Sequence, residues 1–150
     1  MAFRGTFEYS LDAKHRLTIP AAFRGELAKG VVLAASSELQ EGGPRTVGIW
    51  TPEGYEAYTS ATLAGLNPAS PRARELKRFF FNASYDTELD SANRVMIPTS
   101  LMKYAGLQKE VVVTGSGDCL EVWDRALHAQ NLEEIVAHMP DLTASLGDTT

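Results

Sequence analysis

The chain has 150 residues, 44% of them hydrophobic, and a net charge of −5, enough for one ordinary domain or two very small ones sharing a core. Its longest apolar runs, residues 30–35 and Val111–Val113, fall far short of the roughly 20 residues that cross a bilayer, and no apolar stretch follows a basic start as in a secretory signal, so no membrane helix is expected and the reading places the chain in the cytoplasm. The charge is unevenly placed, with seven acidic residues from Asp118 onward against Arg125 alone, which leaves the first three quarters near neutral and long-range steering of a charged partner weak.

Taken in chain order, Phe7, Tyr9 and Leu11 alternate with Glu8 and Ser10, the period of a half-buried strand. Asp12 to His15 suit a reversal, because Asp hydrogen-bonds nearby backbone and tolerates turn geometry. A short strand, Leu17 to Ile19, follows and makes a hairpin. Pro20 then opens a helix over 21–29, with Gly30 as its C-terminal cap. Val31 to Ala35 reads as a buried strand, and a loop from Ser37 to Thr46 with Gly42-Gly43-Pro44 at its heart leads to a strand closing at Trp50. Thr51-Pro52 starts a helix to about Leu66, a Pro-rich break follows, and Arg72 to Asn82 forms a joining helix carrying Arg72, Arg74, Lys77 and Arg78.

The order then repeats. Asp90-Ser91-Ala92-Asn93-Arg94-Val95-Met96-Ile97-Pro98 matches Asp12-Ala13-Lys14-His15-Arg16-Leu17-Thr18-Ile19-Pro20 at a constant offset of 78, with Asp, Arg, Ile and Pro in register. Tyr85 and Leu89 repeat Phe7 and Leu11, Val111–Val113 repeats Val31–Leu33, and Val122-Trp123 repeats Ile49-Trp50. Internal periodicity of this kind decides architecture before any single motif does. Asp124 caps a last helix to about Met139, and residues 140–150 read as a loose tail. The division expected is a first repeat over 6–52, a helical connector over 53–81, a second repeat over 82–125, and a C-terminal helix and tail over 126–150.

The twice-repeated Asp turn, short aliphatic strand and proline, together with Phe3-Arg4-Gly5, residues 106–111 and Glu121-Val122-Trp123-Asp124, resemble the MraZ family of SpoVT/AbrB-like proteins. The resemblance covers about residues 3–130. It implies an α+β, mainly β, fold in which two tandem AbrB-like hairpin repeats interlock as one swapped-hairpin β-barrel with flanking helices. It also implies a nucleoid-associated, ring-forming homo-oligomer, commonly an octamer. Such a protein regulates its own division and cell-wall operon, usually as a repressor, at short direct repeats in double-stranded promoter DNA. The helices after each Trp and the joining helix become packing or ring-forming surfaces.

Within the turns, Arg16 and Arg94 are the leading DNA-contact candidates, since an arginine bonds bidentately to guanine O6 and N7. Lys14 suits a phosphate. His15 and Asn93 stand where the family pattern has glycine, and Ala92 where it has a second lysine, so the second turn either binds DNA more weakly or serves chiefly in the fold. His15 is read as either a pH-sensitive DNA contact or an exposed turn residue. A structural Asp12–Arg16 ion pair is the competing reading for Arg16. The basic stretch over 72–78 fits a subunit-bridging helix face or a second DNA surface.

An enzyme is disfavoured. His128 and His138 lie ten residues apart with no third ligand, Ser116 between Gly115 and Gly117 matches no catalytic pattern, and Cys119 reads as a small buried side chain. No metal or cofactor is expected. A protein-binding scaffold is the remaining alternative, and salt dependence of DNA binding separates it from a regulator.

Overall fold

The computed structural model describes residues 2–37 and 42–146. Eight strands and five α-helices occur among them, and the strands form two antiparallel sheets. The larger has six strands: β1 (Thr6–Ser10), β3 (Val31–Ala35), β4 (Val47–Trp50), β5 (Ser84–Thr87), β7 (Glu110–Gly115) and β8 (Leu120–Asp124), in the spatial order β1-β7-β8-β4-β3-β5. The smaller pairs β2 (Arg16–Thr18) with β6 (Arg94–Met96).

Pairing runs between the sequence copies. β1 of the first copy lies on β7 of the second, with Phe7 opposite Val113. β5 of the second lies on β3 of the first, with Tyr85 opposite Leu33. The expected hairpins are therefore split: β1 and β2 are joined by the Asp12 turn but pair with different strands, and so are β5 and β6. Nor does the hydrogen-bonded ladder close into the expected barrel. β1 and β5 are the edges of the large sheet, and the three-residue β2 and β6 form a separate ribbon, stopped by Pro20 and Pro98, which have no N–H to extend a ladder.

The core follows from this exchange. Leu17, Ile19 and Leu27 of the first copy and Val95, Ile97, Leu101 and Val111 of the second are buried in one cluster, joined by Phe3. Phe3 reaches it because the N-terminal segment crosses the end of β7, where Gly115 N–H donates to Gly5 O at 2.9 Å. A Cβ on Gly115 would lie 2.3 Å from Arg4 N, so only glycine permits the crossing. On the opposite side of the sheet Val32, Ala34, Trp50, Tyr55 and Cys119 form a second cluster. Tyr55 belongs to α2 (Pro52–Leu63), and its hydroxyl donates to Phe80 O of α3 (Pro71–Asn82) at 2.9 Å.

α2 starts as expected, and α3 starts one residue before the expected Arg72, at Pro71. Thr51 and Ser70 accept from the N–H groups of Gly54 and Ala73, and a proline occupies the first turn of each. The element after Pro20 is shorter than expected, a 3₁₀ turn (Ala21–Phe23) leading to α1 (Arg24–Leu27), because Phe23 at ψ 0° breaks the run. Its counterpart α4 (Thr99–Ala105) ends at Gly106 in the left-handed conformation, φ +61°.

The C-terminal segment departs most from expectation. α5 (Arg125–Ser145) is capped by Asp124, as expected, but runs through Pro140 instead of giving way to a loose tail near Met139. One proline removes a single helical donor, and the flanking residues are good enough helix formers to continue. Part of the expected 37–46 loop and the last four residues of the tail lie outside the described residues.

Candidate nucleic-acid interface

The two Asp turns are built alike, atom for atom. Asp12 Oδ1 accepts from Lys14 N–H and Arg16 N–H, both at 2.9 Å, and Asp90 Oδ1 accepts from Ala92 N–H and Arg94 N–H, both at 2.9 Å. The other carboxylate oxygen takes the arginine: Arg16 Nε donates to Asp12 Oδ2 at 2.6 Å, and Arg94 Nε to Asp90 Oδ2 at 3.0 Å. The backbone closes each loop, with His15 N–H on Asp12 O and Asn93 N–H on Asp90 O. His15 and Asn93 both stand at positive φ, 58° and 60°, and are the only non-glycine residues to do so among those described. These are the positions where the family pattern has glycine, and they serve as turn-formers by backbone conformation.

Hydrogen bonds from backbone N–H groups and the arginine hold both carboxylates ionised. Arg16 N–H is the leading cause at Asp12, whose pKa falls to about 2, and Arg94 N–H lowers Asp90 in the same way.

The ribbon brings the two turns together. β2 and β6 run antiparallel with Arg16 opposite Met96, Leu17 opposite Val95 and Thr18 opposite Arg94. Ile19 N–H bonds Asn93 O and Ile97 N–H bonds His15 O, so each turn also clasps the far end of the other strand. Leu17, Ile19, Val95 and Ile97 point into the core, which by strand alternation turns Arg16, Thr18, Arg94 and Met96 outward on one face. Arg16 and Arg94 are diagonal neighbours there, and Arg94 also approaches Asp12 at 3.7 Å.

The ion-pair and DNA-contact readings of Arg16 are thus compatible. Each guanidinium is anchored through Nε, while both terminal amino groups of Arg16 and one of Arg94 have no acceptor among the described residues. A planar donor fork held at its base and open at its tip is suited to the edge of a guanine or to a phosphate. Lys14 is exposed beside it and makes no ion pair among the described residues. Of the five residues singled out in the sequence, Arg16 and Arg94 share one face, Lys14 flanks it, and His15 and Asn93 shape the turns. Sequence reasoning passed over Thr18 and Met96, the latter 60% exposed. The signal was available, since each lies two residues beyond an arginine on an alternating strand.

The other candidates are placed elsewhere. Arg72, Arg74, Lys77 and Arg78 are exposed on α3. His128 packs edge-on against Trp123, with ring centroids 5.4 Å apart, and no cluster of three or more metal-ligating side chains occurs among the described residues. Cys119 is buried, and burial pushes its thiol up to about 12, far from a nucleophilic thiolate.

Comparison with known proteins agrees with the repeated turn. The family model for MraZ protein matches the chain twice, over residues 2–79 and 80–145. The chain belongs to the MraZ family. Similar proteins bear the name Transcriptional regulator MraZ. That of Kocuria rhizophila is 39% identical over 136 residues, covering 88% of this chain and 87% of its own length. That of Lactiplantibacillus plantarum is 39% identical over 151 residues, covering 97% and 99%. That of Mycoplasmoides gallisepticum is 34% identical over 146 residues, covering 97% and 98%. MraZ proteins are transcriptional regulators and not enzymes. The two family-model matches meet at residue 79–80, inside α3, so the repeat seen in the sequence is also the family's own unit. No helix among the described residues is long and apolar enough to cross a membrane.

Proposed function

We propose that this chain is a sequence-specific DNA-binding regulator that reads promoter DNA with the outer face of the β2–β6 ribbon. The observation that carries the reading is the pair of Asp-anchored arginines, Arg16 and Arg94, set diagonally on one two-stranded ribbon with their terminal amino groups open. A two-stranded ribbon fits the major groove. Arg16 and Arg94 then read base edges, Lys14 meets a phosphate, and Thr18 and Met96 supply polar and apolar contact between them. His15 and Asn93 hold the backbone close enough for this and lie at the rim of the contact.

One ribbon binds modestly, because Asp12 and Asp90 offset the charge of both arginines. Several ribbons on one assembly raise the avidity by roughly 10² to 10⁴ when their spacing matches the DNA repeats. The reading therefore includes a homo-oligomeric ring, eight-membered as the family resemblance suggests, acting at the nucleoid. It represses the division and cell-wall operon to which the gene belongs. Within the chain, residues 6–52 and 82–125 act as the two interlocked swapped-hairpin repeats, 53–81 as the helical connector and 126–150 as the C-terminal extension.

The test is binding to the chain's own upstream DNA, followed by fluorescence anisotropy, with the fragment carrying either the full set of direct repeats or a single one. Tight, salt-sensitive binding to the full set and weak binding to the single repeat is expected. Equal affinity for both, or for a scrambled fragment, contradicts the reading.

A further inference from the structure

A cavity beside the second, smaller apolar cluster holds polar groups that DNA reading leaves unused. Its volume is about 180 Å³, and Gly48, Trp50, Tyr58, Ser116, Asp118 and Glu121 are among its lining residues, which include no Lys, Arg or His. Gly48 and Glu121 are register partners on β4 and β8, so strand alternation puts both of them and Trp50 on one side of the sheet. A Cβ on Gly48 would lie 2.5 Å from Trp50 Nε1. The missing side chain therefore lets the edge of the indole lie over the strand, at the register position of Glu121.

Hydrogen bonding inside the cavity is uneven. The hydroxyl groups are engaged, Tyr58 with Ser37 Oγ, Tyr55 as donor to Phe80 O and Ser116 as donor to Cys119 O. Trp50 is only 8% exposed, yet its indole N–H meets no acceptor among the described residues. The Asp118 carboxylate likewise makes no hydrogen bond or ion pair among them. A nearly buried donor without an acceptor is costly, and an oxygen on a bound molecule removes that cost.

The electrostatics of the cavity are one-sided. Burial is the first cause that lifts the Cys119 thiol, and Glu121 and Asp118 each lift it further, so both carboxylates bear on the same wall. Trp50 packs against Tyr58 with ring centroids 4.9 Å apart and meets Tyr55 edge-on at 5.4 Å, which fixes an aromatic wall beside the carboxylates. Ring faces next to two acids and no base attract a positive charge.

We propose that this cavity binds a small, free organic ammonium ion that also carries a carbonyl or hydroxyl oxygen. The ammonium group is neutralised by Asp118 and Glu121 and lies against the aromatic wall, and the oxygen accepts from Trp50 Nε1–H. Size sets the class: a water occupies about 30 Å³ of liquid, so the cavity takes a ligand of roughly six non-hydrogen atoms, too few for a peptide segment or a nucleotide.

The site shares no residue with the β2–β6 ribbon and is tested on the full chain without DNA. The probe is glycinamide at neutral pH, compared with n-propylamine, which lacks the oxygen, and acetamide, which lacks the charge. The ¹⁵N-resolved indole N–H resonances give the location, because Trp123 Nε1–H already bonds Thr114 Oγ1 at 3.1 Å and acts as the internal control. Glycinamide should shift the Trp50 resonance saturably and leave that of Trp123 in place. Propylamine and acetamide should each bind about tenfold more weakly or worse, as should glycinamide to Asp118→Asn, since each change removes a hydrogen bond or its charge. Asp118 is exposed in a turn, so an unmoved Trp123 resonance in Asp118→Asn confirms that the variant is folded. No saturable shift at Trp50, equal shifts at both indoles, equal affinity for either lesser compound, or unchanged affinity in Asp118→Asn overturns the proposal.

Discussion

At the scale of single residues, the turns concentrate conformation and charge in five positions. His15 at φ 58° is the more strained of the two left-handed residues, because a left-handed backbone costs an ordinary L-residue roughly 1–2 kcal/mol and Asn tolerates it better. His15→Gly should therefore raise stability by about 0.5–1 kcal/mol, and Asn93→Gly by less. His15→Val should lower it, all three read from urea midpoints. Asp12 gives a pH signature. Its folded pKa of about 2 lies below the ordinary carboxylate value, so its contribution is present above pH 4 and lost as pH falls through 2. The stability gap between wild type and Asp12→Asn should be constant near neutrality and shrink between pH 4 and 2. A gap that stays constant throughout that interval means that Asp12 is not held ionised by the turn. The residue identities were all visible in the sequence, but the way each Asp grips its arginine through Nε was not. The same two residue types allow either an ion pair or a free cation, and only geometry shows that one nitrogen is held and the others are open.

Among the elements, local pattern foretold type better than partnership. Alternation gave β1 and β5, apolar runs gave β3 and β7, Thr and Asp caps gave α2 and α5, and the Pro-rich break gave the start of α3, whose Ser70 cap only the structure shows. The closure of each hairpin was misread, because a tight turn between two strands ordinarily pairs them, and here each strand finds a better partner in the other copy. The face of each short strand decides this. Leu17 and Ile19 are fully buried against Val95 and Ile97 only if β2 lies beside β6. Ile97→Ala should thus cost about 2–5 kcal/mol, the range for truncating a buried Ile. It should loosen both turns at once, because Ile97 N–H also clasps His15 O. Amide exchange checks this: protection should fall at His15 as well as at Asn93. A loss confined to the second turn contradicts a shared ribbon. Pro140 misled for a related reason, since proline marks a helix end only on average and α5 passes through it.

For the whole molecule, a net charge of −5 and an acidic segment from Asp118 onward have to be reconciled with the proposal that the ribbon reads DNA. The two are compatible if affinity comes from repetition and not from charge. Binding should then weaken with salt in proportion to the phosphates neutralised, about 0.9 log units per log unit of salt for each. The slope should be steeper for DNA with several repeats than for DNA with one. The measurement that bears most directly on the central claim is promoter binding by wild type, Arg16→Ala and Arg94→Ala, each against specific and scrambled DNA at fixed salt. The ribbon account predicts that each substitution removes about 1–3 kcal/mol of discrimination per contacted base pair, with the fold and assembly mass unchanged. If both variants keep wild-type selectivity, the arginine face of the ribbon is not what reads the DNA.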